Sequence, residues 1–255
     1  PPKHQTGSTG RALRDLSEAE LHDLQTWIRA LWKIASKLRR DRMHGGSLDL
    51  DMPETKIFVD AAGYADRLEK IEHDESHQLI EEFMLAANEA VARHLDENKV
   101  SYIRRVHPEP EPTRLRGFGR FVSRLGLPLD NPEDRFALQR LLEKTSGTSE
   151  ARAVHIALLR SMRMAVYSAD EDVHYALATS QYCHFTSPIR RYPDLVVHRQ
   201  LGRLMRQGRA PADEQELEVL AKHCSDCERR AEAATRELVK RRILAYLADR
   251  IGDEY

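Results

Sequence analysis

The chain has 255 residues, 41% of them apolar, enough to bury a core as one large domain or two small ones. Forty basic against 41 acidic side chains leave a formal charge of −1, so no global basic field draws in nucleic acid and any phosphate site must be local. Three cysteines, Cys183, Cys224 and Cys227, exclude a disulfide framework; with neither an apolar run near the ~18 residues of a membrane span nor a signal-peptide pattern, a reducing, cytoplasmic setting without membrane contact is expected.

The opening PPKHQTGSTGR has no initiator methionine and is polar with Gly and Pro, so residues 1–16 read as a linker-like segment ahead of a folded part over 17–255. Ser17 and Glu20 have capping-box spacing. Leu21, Leu24, Trp27, Ile28, Leu31, Trp32, Ala35 and Leu38 follow at helical intervals until Gly45 and Gly46. SLDLDM (47–52), KIFVD (56–60) and ADRLEKIE (65–72) alternate around Gly63 and predict short strands in a hairpin or small sheet. A second helix is expected over 75–98, with Leu79, Ile80, Phe83, Met84, Ala87, Val91 and Leu95 on one apolar face and Asn88 at its edge. VSYIRRVH (100–107) reads as a strand, and shorter helices are expected from near Pro112, Asn131-Pro132 and Thr148. Two last helices run from about Pro193 to Gln207 and from about Asp213 to Arg250. The fold class is therefore α+β, mostly helical, with short antiparallel strands and long helices. The last helical pattern runs out at ILAYLADRIGDEY; both ends read as cut, so an internal piece of a longer protein is expected.

Several clusters invite a metal and are outweighed. Asp49 and Asp51 share one side of a predicted strand but lack a third acid or a histidine, so a solvated face is the expectation. Glu81 and Glu82 diverge by about 100° on a helix and cannot pinch one ion together. His223, Cys224 and Cys227 with Cys183 and His184 offer zinc donors, yet the second half-site is missing and both Cys224 and Cys227 fall on the expected inner face of a helix, so no metal ligand is assigned. The basic runs Lys33 to Arg42, Arg203 to Arg209 and Arg236 to Arg242 read mostly as solvated helix faces.

HFTSPIRRYPDLVVHR (184–199) differs because constraints coincide. Pro193 disfavours helical geometry at Tyr192 and suits a first helical turn, so the loop before it should be held extended with Arg190 and Arg191 presented. A guanidinium stays charged and grips phosphate in two places. A phosphate-handling loop and a structural arginine cluster paired with Asp194 both fit these residues, and nothing in the stretch activates a water.

The stretch resembles the signature of the ribonuclease II / ribonuclease R (RNB) family of processive 3′-to-5′ exoribonucleases, closest to the ribonuclease R branch. VHYALATSQYC (173–183) resembles its lead-in, and HDESHQLIEEFMLAAN (73–88), IRRVHPEPEP (103–112), ALLRSMRMAVYS (157–168) and KHCSDCERRAEAATRE (222–237) follow the family's order. The resemblance implies the C-terminal part of an RNB catalytic domain. The family's metal-binding aspartate cluster and its flanking cold-shock-like and S1 modules are not matched. It implies hydrolysis of single-stranded RNA from its 3′ end to nucleoside 5′-monophosphates, by two Mg2+ ions held by residues outside this chain. Arg190, matching the motif's first arginine, would be the catalytic contribution, with Arg191, Tyr192, Arg105, His107, His184 and Ser187 as RNA-binding or supporting residues. The sequence departs from the family at Pro110, where ribonuclease II has a stacking aromatic, at Val173 and Thr235, and in carrying Cys227. A catalytically inactive RNB-like RNA-binding protein, or a helical partner-binding fragment, is the alternative.

Overall fold

A computed structural model describes residues 16–50, 54–60, 65–71 and 74–248. The linker-like segment but for its last residue, Asp51 and the turn at Gly63 lie outside them.

Helix α1 (Glu18–His44) opens on the expected capping box: the Ser17 hydroxyl accepts from the Glu20 N–H (3.3 Å), and Glu20 accepts in return from the Ser17 N–H (2.9 Å). It lies against α2 (Glu75–Glu97), whose N-cap Asp74 accepts from the N–H groups of Ser76 and His77. In the chain between these helices, β1 (Glu54–Val59) and β2 (Ala65–Ile71) form an antiparallel hairpin, Ile57 opposite Leu68. Residues 47–50, expected as a strand, form none. The Ser47 hydroxyl and the Leu48 N–H both donate to the Ala176 carbonyl (3.1 and 2.8 Å), so this segment bonds to a 3-10 turn instead of a ladder. The strand expected over 100–107 shortens to β3 (Arg104–Val106), paired antiparallel with β4 (Val166–Ser168).

Three short helices, α3 (Pro112–Arg124), α4 (Arg135–Thr145) and α5 (Ala151–Ser161), form a lobe around Leu115, Phe118, Val122, Leu138, Leu142, Val154 and Leu158. Helices α4 and α5 each begin about three residues later than the sequence cues suggested, since Asp134, not Asn131, caps α4 by accepting from the Phe136 N–H. A Cβ on Gly119 would sit 3.3 Å from the Pro132 ring, which keeps that helix position small.

Helix α6 (Tyr192–Gln207) and helix α7 (Glu214–Ala248) complete the chain. Gly208 ends α6 at φ 67°, a conformation that costs glycine little, and its N–H donates to the Leu204 carbonyl (2.8 Å). Helix α6 joins two cores: Val197 and Leu204 pack with Ala92, Leu95 and Tyr102, while Val196 packs with Ile103, Tyr167, Leu217 and Ala221 of α7. The 184–191 loop enters α6 at this junction. No helix of the described residues is long and apolar enough to cross a membrane.

Candidate active-site wall

The floor of the site is a column of rings laid down by β3, β4 and the segment 173–184. Backbone bonds from Arg105 N–H to Tyr182 O (3.0 Å), from His107 N–H to Val173 O (3.0 Å) and from Tyr175 N–H to His107 O (2.8 Å) run that segment alongside β3. His107, His174, Tyr182, His184 and Tyr167 then meet edge to face in turn, with centroids 5.3, 5.1, 5.9 and 5.5 Å apart. Arg105 lies over the Tyr167 ring at 4.6 Å and donates to Glu228 of α7 (2.6 Å).

Burial keeps these imidazoles neutral. It pushes His184 down to about 2, with the charges of Arg191 and Arg105 adding to it, and His174 down to about 3, with His107 adding; His107 is lowered for the same reason. His184 Nδ1 instead bonds the Tyr167 hydroxyl (2.9 Å). His184, expected as an RNA-binding or supporting residue, is thus an enclosed, neutral ring in this wall. The same burial has a consequence for stability. Above pH 6.5 both folded and unfolded chains carry these rings neutral. As pH falls from there towards about 3, only the unfolded chain takes up protons at His174 and His184, so stability is lost through that window. The melting temperature is expected to fall between pH 7 and pH 5, where most carboxylates stay ionised; a flat profile would contradict the burial.

The loop above the column is fastened on two sides. Asn88 of α2 donates to the Tyr182 hydroxyl (3.0 Å) and accepts from the Phe185 N–H (3.0 Å), and its own carbonyl receives the Cys183 thiol (3.5 Å). On the other side Asp194, fully buried in the first turn of α6, accepts from the Ser187 N–H (2.8 Å) and from Arg191 Nη2 (2.7 Å). His198 stacks on Phe185 at 4.0 Å and bonds its carbonyl through Nε2 (2.9 Å). The loop is not extended as Pro193 suggested. The N–H groups of Arg190 and Arg191 both return to the Ser187 carbonyl (3.2 and 3.1 Å), closing a turn over 188–190, and α6 begins at Tyr192 from an extended Arg191 (φ −126°, ψ 118°).

This geometry separates two neighbouring arginines. Arg191 is the one that pairs with Asp194, and its side chain is only 19% exposed. Arg190 sits exposed on the outside of the turn, and among the described residues no carboxylate pairs with it. Tyr192, half exposed, lies beside it at the start of α6. Arg105, His107, His184 and Arg191 are thus brought together in the wall, while Arg190 and Tyr192 stand at its exposed edge and Ser187 contributes its backbone N–H to the Asp194 anchor.

A groove of about 540 Å³ runs beside the wall, lined by Ser76, His77, Ile80, Glu81, Met84 and Asn88 of α2 together with Tyr182 and Arg191. Ile80 and Met84 belong to the apolar face expected of this helix, and Ile80 is 57% exposed on it. The spacing 77, 80, 81, 84, 88 marks one helix face and was the available signal. Glu81 and Glu82 do diverge: Glu81 lines the groove, whereas Glu82 is buried against Arg42, accepting from Nη2 and, at 3.2 Å, from Nε. Asp49 bonds Arg39 and lies on no strand. Cys224 is buried but Cys227 is half-exposed, 3.5 Å from His223 Nε2, so the two do not share an inner face. Burial pushes the Cys183 thiol up to about 12.

The RNB domain family model matches residues 5–207. Ribonuclease R 1 of Lactococcus lactis is 37% identical over 236 residues, 89% of this chain and 29% of that protein. Ribonuclease R of Escherichia coli is 32% identical over 250 residues, 92% of this chain and 29% of that protein. The solved structure of Mycoplasma genitalium RNase R in complex with ribose-methylated single-stranded RNA superposes with a TM-score of 0.84 at 28% identity, covering 94% of this chain and 38% of that one. The chain therefore spans less than a third of the length of the two curated relatives.

Proposed function

The chain belongs to the RNB domain family, and on that premise we propose that it is the C-terminal part of the catalytic domain of a 3′-to-5′ exoribonuclease, supplying the arginine-bearing wall against which RNA is hydrolysed to nucleoside 5′-monophosphates. Its partners in this reading are the 3′ end of single-stranded RNA, the rest of the RNB domain, and cold-shock-like and S1 modules.

The observation that carries the reading is the division between Arg190 and Arg191. A guanidinium fixed to a buried carboxylate stiffens the turn, and its neighbour is left charged, exposed and without a carboxylate partner among the described residues. A planar fork in that position suits two oxygens of one phosphate and the charge that grows on them during displacement. Neutral rings beneath it add no competing charge.

The RNB resemblance implies Mg2+. Among the described residues no group of three or more His, Cys, Asp or Glu side chains is arranged to hold a metal ion. These described residues do not fit the ions, and we propose, as the resemblance implies, that the ions are held by residues outside this chain.

The test compares the 255-residue chain with the same chain extended by the rest of an RNB domain, each given single-stranded RNA and Mg2+. The extended protein is expected to release nucleoside 5′-monophosphates and the shorter chain none. Release by the shorter chain at a comparable rate would overturn the proposed division of the site.

A further inference from the structure

We propose that the exposed face of α6 is a binding surface for the backbone of single-stranded RNA, continuing outward from the Arg190 turn; the inference rests on the RNA-binding reading above and adds a second contact region to it.

Residues 184–209 contain six arginines and one acid, Asp194, in a chain whose net charge is −1. Asp194 is buried and taken by Arg191, which leaves Arg190, Arg199, Arg203, Arg206 and Arg209 with no carboxylate partner among the described residues. At 100° per residue, Tyr192, Arg199, Arg203 and Arg206 fall within an arc of about 60°, a stripe about 21 Å long. All four are exposed. The Arg199 guanidinium sits 5.9 Å from the Tyr192 ring, so an aromatic face is interleaved with the charges. Gly202 leaves room for the Arg206 guanidinium to lie back along the stripe, since a Cβ there would be 3.2 Å from it.

The plain alternative is a solvated helix face, and this protein shows what such a face looks like. On α7 the pairs Arg229–Asp226, Arg236–Glu232 and Arg241–Glu237 close at 2.7, 2.8 and 2.8 Å. In each of these three pairs the acid lies three or four residues from its arginine, the arrangement that supports an exposed helix. Helix α6 has no such acid on its exposed side. A one-sign stripe repels itself unless a polyanion meets it. Its near end adjoins the turn proposed to hold the scissile phosphate, and the evenly charged polymer entering that turn is RNA, with further phosphates trailing from it.

The test is the salt dependence of binding of a fluorescein-labelled oligouridylate to the 255-residue chain and to the triple variant Arg199→Gln, Arg203→Gln, Arg206→Gln. Three lost phosphate contacts on a single strand should make the slope of log K against log salt shallower by about 2. The corresponding triple lysine variant should keep the wild-type slope, because it keeps the charges. Circular dichroism melts should coincide for all three, as no described ion pair is removed. Poly-glutamate of matched charge should compete poorly. An unchanged slope in the glutamine variant would overturn the stripe while leaving RNA binding intact. Competition by poly-glutamate equal to that by RNA would assign the face to an acidic protein and overturn the proposal. No RNA binding by the wild-type chain would overturn both this inference and the functional reading.

Discussion

Replacing Arg190 with alanine in the complete enzyme is expected to lower kcat by roughly 10² to 10³, about 2.7 to 4 kcal/mol, while RNA affinity falls much less. The size follows from where the guanidinium is proposed to act. A donor that meets charge mainly in the transition state contributes to the chemical step and little to ground-state binding. Arg190 is exposed and pairs with no described carboxylate, so its loss leaves no buried charge behind and the melting temperature should hold. Arg190→Lys should also be poor, because an ammonium keeps the charge and loses the two-point grip. Steady-state kcat set beside a filter-binding Kd for the same RNA checks the separation. A loss of affinity with kcat unchanged would mean that Arg190 binds substrate and transition state alike.

Asp194→Ala is expected to fail for the opposite reason. Its carboxylate has no exposed surface and receives both the Ser187 N–H and the Arg191 guanidinium. Removing it strands a largely buried positive charge and a partly buried backbone donor, a loss of about 3–5 kcal/mol for a broken buried pair. For a chain of this size that is a fall in Tm on the order of 10 °C. Asp194→Asn retains an acceptor and should lose less. A melting curve of Asp194→Ala matching wild type would show that the Arg191 pair does not hold the turn. Any catalytic loss in Asp194→Ala should track the folded fraction and the disorder of the turn, in contrast to Arg190→Ala.

The helices were legible because their cues are local. The Ser17–Glu20 box, the apolar spacing of α1 and α2, and Pro112 at the start of α3 each depend on residues within a turn or two of one another. The strands were less so. Residues 47–50 alternate as a strand would, yet what Leu48 meets is the carbonyl of Ala176, over a hundred positions away. The family and its arginine motif were also readable in the 184–199 stretch. The different duties of Arg190 and Arg191 were not, since adjacent arginines carry the same chemistry and only the buried position of Asp194 decides which of them is taken. His184 illustrates the same limit: its letter suggests a titratable, phosphate-holding group, and its neutrality comes from Tyr167, Tyr182 and Arg191 closing around it. The α2 groove escaped because an apolar helix stripe reads alike whether it faces a core or a cleft.

The most direct test of the wall is the single-turnover cleavage rate of Arg190→Ala per folded molecule, measured with Tm on one preparation of the complete enzyme. The account predicts a rate reduced roughly 10² to 10³ at an unchanged Tm. Near-normal cleavage per folded molecule would contradict it and leave the arginine motif a structural one.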